Sequence, residues 1–335
     1  MEFDSRVEKV TFMPSFLQIK KGVPEFFEQI KIVQDKMGGT KIKWFSSMMW
    51  CLLCYGARPI DYVRFEFYKK NGAERNKYLT IYRYFKLLKK FGTYESNVHG
   101  KIAEYQTFKN YIRRDWMILD HTTSEEELIS FINKNKIVFA KPNHGDQGKG
   151  VLKIKAENTD EIKALIESAK SKVYVVEGAV ENEETLARIN PTSVNTIRAY
   201  SLIKKNGDIQ ILAIMLRVGK SGSHVDNWGS GGVGYNFDLE TGICVDYGRD
   251  KLNNPYTHHP GSNIQMVGFK LPKFAELKNI IISMAKETPN ARFVGWDIAY
   301  TPNGFELIEM NCPGGHDFLQ AFGTPFYKVL KKELN

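Results

Sequence analysis

The chain of 335 residues contains 42% hydrophobic and 25% charged residues, a composition that can bury a large core and excludes a wholly disordered protein. Its four cysteines are too few for a disulfide framework at this length, and its formal net charge is +9. The N-terminal segment MEFDSRVEKV lacks the basic leader and apolar core of a signal peptide, so we expect a cytoplasmic protein.

Residues 1–95 form a basic region that we predict to be mainly helical. They contain 18 Lys and Arg against 10 Asp and Glu, which places +8 of the total charge there. Apolar residues recur three and four positions apart, with breaks at Gly38-Gly39 and at Pro59. The charge favours an anionic partner, and peripheral contact with the inner face of an anionic membrane is one expectation. A solvated basic surface is the alternative, and without a nucleic-acid-binding motif we expect no nucleic acid partner.

The longest apolar run is the segment WFSSMMWCLLCY, residues 44–55. A helix that crosses a bilayer needs about 20 predominantly apolar residues, so this run is too short. It predicts a buried or interfacial helix instead.

From about residue 96 the sequence alternates between β-rich and helical segments, which predicts an α+β architecture rather than a doubly wound sheet. The predicted strands are IVFAK, VLKIK, VYVVEG, TIRAYSLIK, IQILAIMLRV, ARFVGWDIAY and FELIEMN. Helices are predicted in SEEELISFINKN, with Ser124 as the N-cap, and in TDEIKALIESAK, with Thr159 as the N-cap.

Residues 137–155 predict two strands joined by the glycine-rich loop NHGDQGKG. Gly145, Gly148 and Gly150 allow successive backbone N–H groups to approach phosphate oxygens, and Lys141 at the end of the first strand would add a cation. The loop is neither a Walker A loop nor a GxGxxG dinucleotide turn. An ordinary glycine-rich hairpin is the alternative, so a phosphate site here requires a partner element.

Asp297 in VGWDIAY and Glu309 with Asn311 in ELIEMN form a candidate metal-binding strand pair. The Pro-Asn-Gly turn at residues 302–304 predicts a hairpin that places Asp297 across from Glu309, with Asn311 on the same face as Glu309. Oxygen ligands without His or Cys favour Mg²⁺. The alternative is a pair of exposed hairpin carboxylates. Both strands are apolar, however, and a buried carboxylate requires a cation or a proton.

The segment VYVVEGAVENEE is an apolar strand that ends at Glu177 and continues into Gly178, Ala179 and Val180. Exposed backbone groups of such a linker can pair with the edge of an adenine ring, and a nearby carboxylate such as Glu184 can bind ribose hydroxyls. Other polar residues near strand ends or in loops are Asn195, Arg198, Arg217, Asp226, Asn227 and His259. For His259, a turn histidine without a functional role is the alternative.

Taken in order, these motifs resemble the ATP-grasp superfamily. They are Lys101, AKP with its glycine loop and GKG, VEG, NTIR, LRVG, DNW, GWD and ExN. The resemblance covers about residues 98–320 and is closest to the sugar-transfer-associated ATP-grasp proteins of bacterial surface-polysaccharide assembly. It implies an ATP-grasp domain at residues 96–335, in which the subdomains 96–180 and 181–335 grip ATP after a helical region at residues 1–95.

The resemblance also implies a role for individual residues. The implied ATP contacts are Lys101, Lys141, Gln147, Gly148, Lys149, Gly150, Glu177, Gly178, Ala179, Val180 and Glu184. The implied magnesium ligands are Asp297, Glu309 and Asn311, and the implied catalytic residues are Lys141, Arg198 and Arg217. The candidates for substrate contact are Asn195, Asp226, Asn227 and His259.

The function implied by the resemblance is that of a ligase that uses ATP and Mg²⁺ to form an amide through an acyl phosphate. Its implied substrates are a small amine, such as an amino acid or amino sugar, and a carboxylate on a cell-surface polysaccharide or its precursor. A kinase without ligation and a non-catalytic nucleotide- or glycan-binding protein are the alternatives. The retained metal carboxylates and strand lysine favour an enzyme over a binding protein.

Overall fold

The computed structural model describes residues 16–91, 100–144, 150–220 and 228–334. Five residues expected in the site lie outside these ranges, as does the expected domain boundary near residue 95. The five residues are Gln147, Gly148, Lys149, Asp226 and Asn227. The described residues form a helical region followed by two antiparallel sheets with flanking helices, so the predicted α+β class is confirmed.

The N-terminal region is helical, as predicted. Its helices are α1 (Phe16–Met37), α2 (Lys41–Tyr55), α3 (Pro59–Arg64), α4 (Gly72–Arg75) and α5 (Ile81–Leu87). Thr40 caps α2 by accepting a hydrogen bond from the backbone N–H of Lys43, and Gly56 ends the helix with a φ of 64°. The breaks predicted at Gly38-Gly39 and before Pro59 are therefore confirmed.

Helix α2 is apolar on both faces. Trp44, Met48 and Cys51 are buried in a core that includes residues of α1 and α3. Ile42 and Leu53 lie on the opposite face and are 79% and 77% exposed. The sequence predicted a buried or interfacial helix, and the structure gives α2 one buried and one exposed apolar face. Within the described ranges, no helix has both the length and the apolar character needed to cross a bilayer.

The first sheet contains four strands in the order β1-β4-β2-β3, all antiparallel. The strands are β1 (Trp116–Leu119), β2 (Ile137–Pro142), β3 (Leu152–Lys155) and β4 (Tyr174–Gly178). Helices α6 (Lys101–Thr107), α7 (Glu125–Asn135) and α8 (Thr159–Ala169) belong to this part of the chain. The side chains of Ala140 and Val176 pack in one core with α7 and α8. Because strand side chains alternate, Lys141 and Glu177 extend from the other face of the sheet.

Of the two predicted N-caps, one is present in the structure and the other is not. Ser124 caps α7 by accepting from the N–H of Glu127, which confirms that prediction. Thr159 is not a cap but the first residue of α8, and the prediction for it is wrong. The preceding Asn158 caps this helix by accepting from the N–H of Glu161, since its amide oxygen offers the same kind of acceptor one position earlier.

The second sheet contains seven strands in the order β11-β10-β5-β6-β7-β8-β9, again antiparallel. They are β5 (Thr196–Ile203), β6 (Ile209–Val218), β7 (Val233–Phe237), β8 (Gly248–Arg249), β9 (Pro255–Tyr256), β10 (Phe293–Thr301) and β11 (Gly304–Asn311). Helices α9 (Glu184–Ala187), α10 (Phe274–Glu287) and α11 (Tyr327–Leu334) accompany them. One core contains residues of α10, and a second contains residues of α11 and of the helical region.

The helical region is joined to the chain segment that follows β11. The carboxylate of Asp61 lies 3.3 Å from the ring of His316, and both side chains are buried. The side-chain amide of Gln320 accepts from the N–H of Leu79 (2.8 Å) and donates to its carbonyl (2.9 Å). This junction fixes the helical region against the end of the strand that carries Glu309 and Asn311.

Candidate functional site

Lys101 is the first residue of α6, and its position is fixed by hydrogen bonds to Asn143, which follows β2. The backbone N–H groups of Lys101 and Ile102 donate to the carbonyl and the side-chain oxygen of Asn143, both at 3.0 Å. Gly100 has a φ of 84°, and a Cβ there would lie 2.8 Å from the Asn143 side chain, so glycine is required. From this position the Nζ atom of Lys101 reaches the carboxylate of Glu309 at 2.9 Å.

A buried cluster of charges lies on the face of the first sheet that is opposite to α7 and α8. The Nζ atom of Lys141 is 2.5 Å from one carboxylate oxygen of Glu177. The other oxygen accepts from the Nε–H of Arg114 (2.8 Å) and from the hydroxyl of Tyr105. Arg114 continues the network through its Nη1–H, which donates to Glu306 at 2.9 Å. The cluster therefore links β4 of the first sheet to β11 of the second.

Burial dominates the electrostatics of this cluster. It lowers the pKa of the Lys141 ammonium to about 7, with the nearby cations Arg114 and Lys101 acting in the same direction. It raises the pKa of Glu177 well above its ordinary value. Glu309 is among the charges that oppose the change at Lys141. Lys101 contacts Asn143 after β2 through its backbone and Glu309 through its side chain, so the predicted phosphate hairpin and metal-binding strands meet. An anionic ligand beside Lys141 would restore its positive charge.

Asp297 is held by two arginines from neighbouring strands. Arg198 donates to both carboxylate oxygens, at 2.5 and 2.9 Å, and Arg217 lies 3.1 Å from the second oxygen. Arg217 is itself positioned by Thr196, whose hydroxyl accepts from its Nε–H and Nη2–H groups. Burial alone would raise the pKa of Asp297, but the two guanidinium groups lower it overall. The cation that the sequence required for this buried carboxylate is thus supplied, in the structure, by arginine.

The register of β10 and β11 places Asp297 directly across from Glu309, as predicted. The Nδ2–H of Asn311 donates a hydrogen bond to Asp297 at 3.3 Å. The amide oxygen of Asn311 is thereby left to coordinate a metal. Glu309 is the accessible member, with 41% of its side chain exposed. Two carboxylates and an amide suit Mg²⁺, which completes its shell with water and phosphate oxygens. Among the described residues there is no cluster of three or more His, Cys, Asp or Glu that could hold a metal.

The linker after β4 has two of its backbone donors already engaged. The N–H of Gly178 donates to the carbonyl of Asp115 (3.0 Å), and that of Ala179 donates to the carbonyl of Ile137 (3.2 Å). In the part of the chain that the structure describes, the N–H of Val180 has no protein acceptor. Of these three linker residues, Val180 is therefore the one whose backbone N–H is left for another acceptor, and its role as the hinge that contacts adenine stays a prediction.

The remaining described candidates lie in loops and at a helix start. Glu184 is the exposed first residue of α9. Asn195 is fully buried, and its amide donates to two backbone carbonyls at 2.8 and 3.0 Å. His259 is also buried, its ring lies 3.0 Å from the carbonyl of Gly219, and burial lowers its pKa. These contacts stabilise loops, and substrate contact by Asn195 and His259 stays a prediction.

Sequence analysis did not select four residues of the network. Tyr105, Arg114 and Glu306 surround Glu177 or its partners, and Glu104 accepts from the N–H of Met310 at 2.7 Å. Burial raises the pKa of Glu104 to about 7. A signal was present for Glu306, because it is a carboxylate inside an apolar strand. Arg114 follows another arginine before a short apolar segment, which gives no comparable signal.

Two antiparallel sheets that share one set of lysines, arginines and strand carboxylates define the fold as ATP-grasp. The profile described as "Sugar-transfer associated ATP-grasp" matches residues 94–331, which is well over half of the sequence. The chain belongs to the sugar-transfer associated ATP-grasp family.

Comparison with solved structures finds matches of low sequence identity. D-alanyl-alanine synthetase A from Vibrio cholerae is 16% identical, with a TM-score of 0.47, and the match covers 71% of this chain and 64% of that one. The ATP-grasp ligase PsnB is 13% identical, with a TM-score of 0.42 and coverages of 71% and 59%. N5-carboxyaminoimidazole synthetase from Staphylococcus aureus is 10% identical, with a TM-score of 0.48 and coverages of 71% and 52%.

The chain thus spans less than two thirds of the length of each of these structures. A search of curated proteins found no significant match.

Proposed function

We propose that the chain is an ATP-dependent carboxylate–amine ligase. In the proposed reaction, a substrate carboxylate attacks the γ-phosphate of ATP and ADP leaves, which forms an acyl phosphate. An amine then attacks the acyl carbon, and phosphate and a proton are released as the amide forms. The observation that carries this proposal is a set of four cations that pair with three strand carboxylates between the sheets. Lys101 pairs with Glu309, Lys141 pairs with Glu177, and Arg198 and Arg217 pair with Asp297.

The cations address the main electrostatic barrier of the proposed reaction. A carboxylate and a phosphate that approach to about 4 Å repel by roughly 4 kcal/mol at an effective dielectric constant of 20. Positive groups fixed before the reaction stabilise the charge that develops on the transferred phosphoryl group. In this proposal Lys141, Arg198 and Arg217 provide that stabilisation, and Lys141 recovers its charge when phosphate replaces Glu177 beside it.

The metal ligands would be Asp297, Glu309 and Asn311. Bound magnesium would neutralise part of the phosphate charge. In the ligand-free structure Lys101 pairs with Glu309, and the two arginines pair with Asp297. Phosphate oxygens of a ligand would replace the carboxylates as partners of these cations. Since each carboxylate already has a cationic partner, we expect metal and nucleotide to bind together rather than separately.

The nucleotide would extend from the phosphate loop to the hinge. Val180 offers its backbone N–H to the adenine, and Glu184 offers an exposed carboxylate to the ribose. Gln147, Gly148, Lys149 and Gly150 stay the predicted contacts of the phosphates. Asp226 and Asn227 stay predicted contacts of the substrate.

The proposed substrates are an amino acid or amino sugar and a carboxylate on a surface polysaccharide or its precursor. The family description supports the sugar context. A kinase that phosphorylates its substrate without ligation is the second candidate, because both reactions use the same cations and metal ligands. A non-catalytic nucleotide- or glycan-binding protein is less well supported, because the chain retains Lys141 and both strand carboxylates.

Hydroxylamine trapping separates the ligase from the kinase. Purified protein is incubated with Mg-ATP and a panel of amino acids, uronic acids and their nucleotide conjugates, and ADP release is measured. We expect a carboxylate that stimulates ADP release to give a hydroxamate when hydroxylamine is present, because hydroxylamine attacks an acyl phosphate. ADP release without hydroxamate from that substrate would contradict the ligase and favour a kinase.

The proposed location is the cytoplasm, with peripheral contact at the inner face of the membrane through the helical region. Nine of the fourteen large hydrophobic side chains that are exposed in the described residues lie between residues 23 and 85. The exposed face of α2 includes Ile42, Phe45, Trp50 and Leu53, and the helix contains two lysines and no carboxylate. An apolar face with basic residues on the same helix suits an anionic bilayer surface.

Vesicle flotation tests this contact. We expect the full chain to float with vesicles of equal parts phosphatidylcholine and phosphatidylglycerol and much less with phosphatidylcholine alone. Replacing both Trp50 and Leu53 by Ser should weaken binding at least about tenfold, because each removes a large apolar side chain. Val245→Ser is the matched control, since Val245 is 55% exposed on the ATP-grasp domain. Dimers that dissociate in the double variant, without vesicle binding in the native chain, would instead show self-association.

A further inference from the structure

A second cleft lies where the helical region meets residues of the ATP-grasp domain. It has a volume of about 50 Å³ and shares no residue with the site between the sheets. Residues from α3 to Tyr78 line one side, and residues near β8 and after Gln320 line the other. The cleft is smaller than the usual ligand pocket of roughly 300–1,000 Å³, so it suits a compact ligand rather than a nucleotide.

The charged residues that line this cleft are Arg64, Lys70, Arg249 and Glu66, which gives three cations and one carboxylate. Arg64 is paired with Asp317 at 2.6 Å, and Glu66 is paired with a lysine outside the cleft. Lys70 has no carboxylate within salt-bridge distance among the described residues, and its ammonium lies 5.5 Å from the ring centre of Tyr78. Arg249 is paired with Asp246 at 3.0 Å, so Lys70 provides the positive charge of the cleft that has no close carboxylate in the described structure.

Arg249 has a donor without an acceptor. Its Nη1–H donates to Asn253 (2.9 Å) and its Nη2–H donates to Asp246 (3.0 Å). Its Nε atom is buried and has no hydrogen-bond partner in the described structure. Most buried polar groups in proteins are hydrogen-bonded, so a buried donor of this kind marks a place where an acceptor is missing.

Burial also acts on Lys70. It lowers the pKa of the ammonium, with Glu66 opposing that change and Arg249 adding to it. A bound anion would offset this cost, since it would give Lys70 the opposite charge that the protein does not provide at short range. The backbone of Glu66 is also in the left-handed region, with a φ of 51°, which is uncommon for a residue other than glycine.

We propose that this cleft binds a phosphate group, either free or on a sugar, between Lys70 and Arg249. A tetrahedral anion can accept from an ammonium and a guanidinium together. The aromatic side chains of Tyr78 and Phe322 line the same cleft and provide an apolar wall for a sugar ring. The inference that this phosphate belongs to a sugar substrate of the enzyme rests on the proposed ligase reaction. Phosphate binding in the cleft does not depend on that reaction.

Calorimetry on the full chain tests the site. Inorganic phosphate and glucose 1-phosphate are titrated separately, each with and without saturating Mg-ADP to occupy the cleft between the sheets. We expect one binding event that persists in Mg-ADP and weakens at least about tenfold in Lys70→Ala, because a charge-assisted hydrogen bond is lost. Arg249→Ala should weaken it similarly. Tighter binding of glucose 1-phosphate would identify a sugar phosphate, and equal binding would identify the phosphate group alone.

Lys77→Ala is the matched control, because Lys77 is an exposed lysine of the same region that does not line the cleft. Equal weakening in Lys77→Ala and Lys70→Ala would overturn the proposal, since it would show only a general charge effect. Absence of phosphate uptake in the presence of Mg-ADP would also overturn it. Binding lost in Lys70→Ala, combined with a negative hydroxamate test, would keep the phosphate site and remove the ligase.

Discussion

The cleft between the sheets and the junction between the helical region and residues 316–320 both bury carboxylates, but they hold them differently. In the described part of the cleft, the carboxylates of Asp297, Glu309 and Glu177 bond only to side chains. At the junction, Asp61 accepts from the backbone N–H groups of Arg58 and Ile81, both at 3.2 Å, in addition to facing His316.

This difference indicates which charges can be exchanged. A carboxylate bound to backbone N–H groups is fixed by the fold, because those donors cannot move without disrupting local structure. A carboxylate bound only to long side chains can release them when a ligand supplies other acceptors. The distinction also applies within the network, where Glu306 and Glu104 accept from backbone N–H groups and Glu309 does not. We therefore propose that Glu309 binds a ligand and that Glu306 has a structural role.

The largest expected effect is a loss of turnover on removing one of the exchangeable charges. Lys141→Ala and Glu309→Gln should each lower kcat at least about a hundredfold, at the lower end of the losses on deleting a preorganised electrostatic group. Lys134→Ala is the control, because Lys134 forms an ion pair with Asp115 at 2.6 Å but is 69% exposed. ADP release is the measurement. A near-normal rate in either variant would remove that residue from the site.

Asp61→Asn tests the fixed charges of the junction. Asp61 is fully buried, and the amide would place one N–H group against donors and remove the charge that faces His316. We expect the free energy of unfolding to fall by about 3 kcal/mol, as for other broken buried pairs. The measurement is urea denaturation, with Asp115→Asn as an exposed control. Turnover per folded molecule should stay close to that of the native chain. A loss of turnover without a loss of stability would contradict the assignment.

The smallest expected effect is the pH dependence of the Arg64–Asp317 pair. Burial would raise the pKa of Asp317, but Arg64 and His316 lower it to about 2. The pair therefore stabilises the folded state above about pH 4, and this contribution is lost as the pH falls towards 2. Because the Asp317 side chain is 35% exposed, we expect about 1 kcal/mol or less. The difference in urea midpoint between the native chain and Asp317→Asn should narrow from pH 6 to pH 2.5. A difference in urea midpoint that stays constant over this pH range would contradict the proposed pH dependence of the Arg64–Asp317 pair.

Much of the fold and the centre of the site could be predicted from periodicity and spacing. All seven predicted strands are present, and so is the predicted pairing of Asp297 with Glu309. A plain hairpin counted from the turn would place Asp297 across from Ile308, and a β-bulge between Asp297 and Ile298 shifts the register so that Glu309 lies opposite. Local patterns did not predict β1, the short strands β7 to β9 or helix α10. The two-residue strands β8 and β9 have too few alternating positions to show a pattern.

The partners of the site residues could not be predicted, because they depend on packing between distant segments. Arg114 and Glu177 are 63 positions apart, and Lys101 and Glu309 are 208 positions apart. The sequence required a cation for Asp297 and suggested a metal, whereas the structure provides Arg198 and Arg217. Spacing along one strand cannot show which side chains of the neighbouring strands face it.

The short connection after β11 has a consequence for how the proposed enzyme is oriented. Asn311 ends the strand, and His316 contacts the helical region only five positions later, a span of at most about 17 Å. Gly314 in this span packs so tightly that a Cβ there would lie 3.0 Å from the backbone nitrogen of Gly295. Such a connection has little slack. If the helical region rests on a bilayer, the angle at which it lies would set the direction in which the nucleotide cleft opens.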